Sequence, residues 1–103
     1  GNRFYAEEVA SVAMAVAGVR DVEVVGIDPK SVETRVAMFL AADEGDVVLT
    51  RVMEALRQTV PSYMVPSLVR VMPALPRLAN GKTDRVRLRE IAAAAPSRGV
   101  EQT

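Results

Sequence analysis

Residues 35–42 read Arg-Val-Ala-Met-Phe-Leu-Ala-Ala, with no polar side chain after the first. A strand with one face in water alternates apolar and polar side chains with period two. A run that does not alternate implies an inner strand covered on both faces. Met38 and Phe39 therefore read as core, and the chain has to supply packing layers above and below them.

The flanking segments supply candidates for those layers. Val9, Val12, Ala13 and Val16 fall at i, i+3, i+4 and i+7, the spacing of an amphipathic helix. Glu7 and Glu8 read as its acidic first turn, where the helix dipole favours them, and Gly18 as the residue that ends it. Val19 to Ile27, rich in β-branched valine, reads as a strand, and Asp28-Pro29-Lys30 as the turn after it. With so short a connection, this strand and Arg35–Ala42 are expected to pair antiparallel. Asp46 is the expected cap of a second helix whose stripe is Leu49, Val52, Met53, Leu56 and Val60, and Pro61 stops it. Leu68 to Met72 reads as a third strand. Arg85 to Ala95 reads as a last helix, with Leu88, Ile91, Ala92 and Ala95 on one face. The order α-β-β-α-β-loop-α implies a small α+β domain, a three-stranded sheet with packed helices.

Composition narrows the function. The chain has 103 residues, enough for one domain with a modest core. Thirteen basic residues balance thirteen acidic ones, so overall charge supports neither nucleic-acid nor membrane binding. Cys and His are both absent, which removes disulfides, thiol nucleophiles, Ser-His triads and the usual zinc sites; no metal ligands are expected. No apolar run is long enough to span a bilayer, and the start lacks the layout of a signal peptide, so a cytoplasmic location is expected. Residues 96–103 read as a flexible tail or linker.

The chemistry concentrates at Asn80-Gly81-Lys82-Thr83-Asp84-Arg85, approached through Pro61-Ser62-Tyr63-Met64-Val65-Pro66 and Pro73-Ala74-Leu75-Pro76. Asn80 and Gly81 form a strong turn dipeptide, since both types tolerate a positive φ. Lys82 follows at once, and Thr83 or Asp84 can cap the last helix. The pattern holds one ammonium at a tight turn, on a stem long enough to reach a phosphate or carboxylate. A Gly-Lys pair alone reads as a solvated loop lysine.

Together, these stretches resemble the carboxyl-terminal subdomain of adenylate-forming enzymes (the ANL superfamily), most of all the adenylation domains of nonribosomal peptide synthetases. Tyr63-Met64-Val65-Pro66 is similar to that family's penultimate motif. Leu75-Pro76, three residues, then Asn80 to Arg85 is similar to its final one, and the two motifs lie about 20 residues apart in the right order. Gly1-Asn2-Arg3-Phe4 followed by Glu8-Val9 resembles the motif just after the interdomain hinge. Two details depart from the peptide-synthetase pattern. Tyr5-Ala6-Glu7-Glu8-Val9 is closer to acyl- and aryl-CoA synthetases, and Leu78 stands where peptide synthetases prefer Thr.

The resemblance implies that residues 1–95 are the mobile lid subdomain of an ATP-dependent ligase and that Lys82 is its catalytic lysine. The implied reaction joins an amino or related carboxylic acid to ATP as an acyl adenylate, with Mg²⁺ and release of pyrophosphate. The acyl group then passes to the phosphopantetheine thiol of a carrier protein. In a second pose the loop around Gly1 would face that thiol, although Gly1 equally fits a residue left from a tag. Asn80 and Gly81 would shape the lysine turn, Tyr63 would pack at a domain interface or in the local core, and Arg85 would be a surface residue at the helix start. The phosphate-binding loop and acyl pocket would belong to a large amino-terminal partner domain, so this polypeptide alone is expected to be inactive. Two other functions stay open: the lid of an acyl- or aryl-CoA ligase, and a non-catalytic docking module that keeps the fold.

Overall fold

The computed structural model describes residues 2–27, 35–94 and 99–100. Its elements are α1 (Asn2–Met14), β1 (Asp21–Ile27), β2 (Arg35–Ala41), α2 (Gly45–Thr59), a 3₁₀ turn (Ser62–Met64), β3 (Leu68–Met72), α3 (Arg85–Ala94) and a two-residue β4 (Gly99–Val100). The expected order α-β-β-α-β-loop-α is observed. The three long strands gain β4 at one edge, giving the spatial order β1-β2-β3-β4. β1 and β2 pair antiparallel, while β2–β3 and β3–β4 are parallel. The parallel β2–β3 pair needs a crossover, and α2 supplies it.

β2 is an inner strand, as its composition demands. Met38 and Leu40 point to one face, where Val9 and Ala13 of α1 and Val48, Val52, Met53 and Leu56 of α2 bury them. Ala37, Phe39 and Ala41 point to the other, against Leu68, Met72, Leu75 and the α3 residues Leu88 and Ala92. Both clusters are apolar, and no polar or charged residue is buried among the described residues.

Several boundaries differ from the sequence reading, each for a local reason. α1 begins at Asn2, which puts Glu7 and Glu8 in the middle of the helix, away from its first turn. After Met14 the chain tightens through i→i+3 bonds, Ala15 N–H to Val12 C=O at 3.3 Å and Val16 N–H to Ala13 C=O at 3.0 Å. Gly18 takes its positive φ (+96°) only after that extra turn, and a Cβ there would lie 3.0 Å from Val48 Cγ2. α2 starts at Gly45, so Glu44 is the cap residue and makes no side-chain cap bond. Asp46 lies inside the first turn, where its charge still faces the helix dipole. The α2 stripe is wider than expected, because Val48 is buried as well. At its other end Val60 is extended (φ −118°, ψ 154°), as a residue before proline must be. The expected turn at Asp28-Pro29-Lys30 and the contact of Ala95 lie outside the described residues. So does most of the expected tail, although Gly99–Val100 pairs with Arg70 and Val71 of β3.

Phe39 sits at the centre of the second cluster with no exposed surface. Phe39→Ala is expected to destabilise the chain by about 3–5 kcal/mol, read as a fall in the urea midpoint. Val47→Ala on the exposed side of α2 is expected to stay within about 0.5 kcal/mol of the parent. Equal midpoints for the two would contradict a core on both faces of β2.

Candidate functional site

β3 ends at Met72, and the chain must then pass from the sheet to α3. Pro73 and Ala74 turn it outward, and Leu75 anchors it in the second cluster, 5% exposed. From there two short arms run antiparallel. Pro76 C=O accepts the Asp84 N–H at 2.8 Å, Arg77 and Thr83 form a β-bridge, and Leu78 N–H donates to Lys82 C=O at 2.8 Å. The tip is a four-residue turn closed by Gly81 N–H to Leu78 C=O at 2.9 Å. Gly81 sits at φ +89°, the arrangement of a three-residue hairpin loop whose last residue is left-handed. The expected turn is present, and its two residues divide the work. Gly81 supplies the positive φ. Asn80 supplies a side-chain acceptor, Oδ1, for the Lys82 N–H at 3.0 Å.

Lys82 therefore lies on the returning arm of a hairpin, one residue past its tip, and is exposed. Among the described residues its ammonium has no acidic partner within ion-pair distance. Of the two candidate caps, Asp84 caps α3: its Oδ1 accepts the Arg87 N–H at 3.0 Å and its C=O accepts the Leu88 N–H at 3.2 Å. Leu88 is fully buried, so the cap and the core together fix the angle at which hairpin and helix meet.

Two ion pairs that the sequence reading did not single out tie this unit to β1. Arg77 Nη2 donates to Asp21 Oδ2 at 2.7 Å, and Arg77 Nη1 donates to the Gly81 C=O at 3.1 Å. Arg85 Nη1 donates to Glu23 Oε1 at 2.7 Å, so Arg85 is at the surface and also holds the helix start. Asp21 and Glu23 are two apart on β1 and share a face. That period-two acidic pair was a visible signal, but its partners lie 56 and 62 residues away. Beside the hairpin a cleft of about 470 Å³ is lined by Arg20, Asp21, Leu75 and Arg77 among others. Both guanidiniums there are already neutralised, since Arg20 pairs with Asp43 at 2.7 Å and also donates to the Pro73 carbonyl.

The other predicted residues are not brought to Lys82. Tyr63 belongs to the 3₁₀ turn that precedes β3, whereas the hairpin comes after the end of β3, so the two motifs occupy opposite ends of that strand. Within the first motif Met64 and Pro66 are buried, but Tyr63 is 73% exposed; it does not fill the local core. Gly1 lies outside the described residues. Among the described residues no group of three or more His, Cys, Asp or Glu could hold a metal ion. No helix among them is long and apolar enough to cross a membrane.

The hairpin geometry can be tested by stability. A Cβ at Gly81 would meet nothing within 4 Å, so the cost of Gly81→Ala is backbone strain alone, about 1–2 kcal/mol. Gly81→Asn is expected to cost less, because Asn tolerates the left-handed region. Asp84→Ala is expected to cost about 1 kcal/mol through loss of the α3 cap. Urea unfolding of the three variants checks the order; equal costs for the two Gly81 variants would rule out the φ constraint.

Known proteins are similar to this chain in sequence and in fold. Residues 8–82 match the family described as the AMP-binding enzyme C-terminal domain. The chain is 34% identical over 89 residues to a linear gramicidin synthase of Brevibacillus parabrevis, a match that covers 85% of this chain and 2% of that protein. It is 40% identical over 58 residues to an anthranilate–CoA ligase of Pseudomonas aeruginosa, covering 55% of this chain and 11% of that protein. Among solved structures, a fatty acyl CoA synthetase of Mycobacterium tuberculosis superposes with a TM-score of 0.69 at 30% identity, over 86% of this chain and 18% of that one. The chain thus spans only a small part of each of these relatives. Its sequence match and its fold agree: the chain belongs to the AMP-binding enzyme C-terminal domain family of adenylate-forming enzymes.

Proposed function

We propose that this chain is the lid subdomain of an ATP-dependent adenylate-forming ligase and that Lys82 is its catalytic lysine. The observation that carries the proposal is an exposed ammonium with no acidic partner among the described residues, held on a hairpin whose backbone is bonded on both sides of it. In the reaction a substrate carboxylate attacks the α-phosphate of ATP and pyrophosphate departs. Two anions must approach, and a preorganised cation lowers that repulsion and stabilises charge on the phosphoryl oxygens. Lys82 would bridge the substrate carboxylate and the ribose-side oxygens of the nucleotide. In this reading residues outside the chain hold Mg²⁺ together with most of the nucleotide. The large partner domain would also hold the acid. Residues 1–95 would move as the lid, with Gly99–Val100 carried on the edge of its sheet, and the rest of 96–103 would link it onward, in a cytoplasmic enzyme.

For the acceptor, we favour the phosphopantetheine thiol of a carrier protein over free coenzyme A. Support comes from the similarity to linear gramicidin synthase over 85% of the chain and from the Asn80–Arg85 motif. The lid of an acyl- or aryl-CoA ligase is the second reading, favoured by the similarity to anthranilate–CoA ligase. Gly1 stands as the candidate for the thiol-facing loop.

Losing one preorganised donor of this kind costs about 3 kcal/mol of transition-state stabilisation. Lys82→Ala in the complete enzyme is therefore expected to cut ATP–pyrophosphate exchange about a hundredfold or more, with no change in melting temperature. Near-parent exchange in that variant would favour a docking module over a catalytic lid. Supplying the loaded enzyme with carrier protein or with coenzyme A then separates the two acceptors.

A further inference from the structure

We propose that Arg77 is a positioning residue for Lys82, acting through the peptide group that joins Gly81 to Lys82. The inference rests on the reading of Lys82 as the adenylation lysine. That peptide group is pinned at both of its polar atoms. Its C=O, from Gly81, accepts Arg77 Nη1 at 3.1 Å, and its N–H, from Lys82, donates to Asn80 Oδ1 at 3.0 Å. A peptide unit is planar, so fixing both ends fixes the plane from which the lysine stem departs. Lys82 C=O is held in turn by the Leu78 N–H at 2.8 Å.

These bonds stiffen the hairpin, and Leu75 and the capped α3 root its base, but none of them stops its tip from tilting against the sheet. Arg77 removes that freedom, because the other arm of its guanidinium is anchored on Asp21 Oδ2 at 2.7 Å. Asp21 is a firm anchor. It opens β1, its backbone is in register with Ala41 of the inner strand, and its Oδ1 accepts the Val22 N–H at 2.9 Å. A planar fork can donate to a carboxylate and a carbonyl at once, which a lysine ammonium on a flexible stem does less well. The Arg77 and Asp21 side chains are 52% and 33% exposed, and a pair that open to water adds little to global stability. Its consequence is geometric: the pair sets where the hairpin points relative to the sheet.

The test uses the complete enzyme with Arg77→Ala, Asp21→Ala, the double variant and Arg77→Lys. Arg87→Ala removes an equal charge from the exposed face of α3 and serves as the control. Misplacing a reacting group by about an ångström can cost up to about a hundredfold in rate, so Arg77→Ala is expected to lower kcat for pyrophosphate exchange about ten- to a hundredfold. KM for ATP and the melting temperature are expected to stay at parent values, and the 77–84 amides to exchange with deuterium about tenfold faster, a local opening. The double variant is expected to be no worse than either single one, the signature of two residues acting as a unit. Arg77→Lys should fall between alanine and the parent. Parent-like kcat and amide exchange in Arg77→Ala, matching Arg87→Ala, would overturn the proposal, as would losses that simply add in the double variant. Should Arg77→Ala fail to fold, Asp21→Ala and Arg77→Lys decide the question by the same two measurements. If instead Lys82→Ala keeps full exchange activity, the catalytic reading of Lys82 fails, and the deuterium exchange still decides whether Arg77 holds the hairpin.

Discussion

The structure depends on one strand being dry on both sides. β2 has no polar side chain among residues 36–41, so neither face can be left to water. Alternation along it commits Met38 and Leu40 to one core and Ala37, Phe39 and Ala41 to the other. α1 and α2 fill the first layer. The second has to be filled by the chain beyond β3, which must therefore change faces of the sheet between Met72 and α3. Leu75 already lies in that second core, so the lysine hairpin follows the change of face and leads the chain into α3.

This location explains how a short exposed loop can be rigid. Leu75 roots one arm in the second core, and Asp84 with Leu88 roots the other through the capped first turn of α3. Between these roots the backbone satisfies its own polar groups, and the two arginines reach across to the acidic pair on β1. The two ion pairs are open to water and contribute little to global stability. The joint effect of these contacts is to fix the backbone from which an exposed lysine stem departs, which under the proposed function suits a donor that acts on a ligand supplied from outside its own domain.

The similarity to both a gramicidin synthase and a CoA ligase fits this division of labour. Under the proposed function, the hairpin serves the adenylation step that the two chemistries have in common. The departure at Tyr5 to Val9 lies outside the hairpin, and Leu78 holds the lysine turn through its backbone N–H and C=O rather than its side chain. They are compatible with a lid whose lysine loop is held the same way whichever acid is activated.

Much of this was legible from local pattern. The unbroken apolar run declared the inner strand, Leu68–Met72 was bounded correctly by turn residues, and Pro61 marked the end of α2 within one residue, because these features arise from side-chain period and backbone sterics. Asn80-Gly81 announced the turn, and Thr83-Asp84 announced a cap without saying which of the two makes it. Helix starts were less legible: Asn2–Tyr5 lacks the Glu or Gln that would complete a capping box, and Asp46 looks like a cap from composition but sits two residues past Glu44, the residue at the cap position. What only the tertiary structure decided is which distant charges meet. In the sequence Arg77 is one of three residues separating Leu75-Pro76 from Asn80, and Asp21 lies within the valine-rich strand, and nothing joins them until the sheet brings the beginning of β1 to the end of β3. Register and layer order created that meeting, and they are set by the burial of β2 as a whole rather than by any local string of residues.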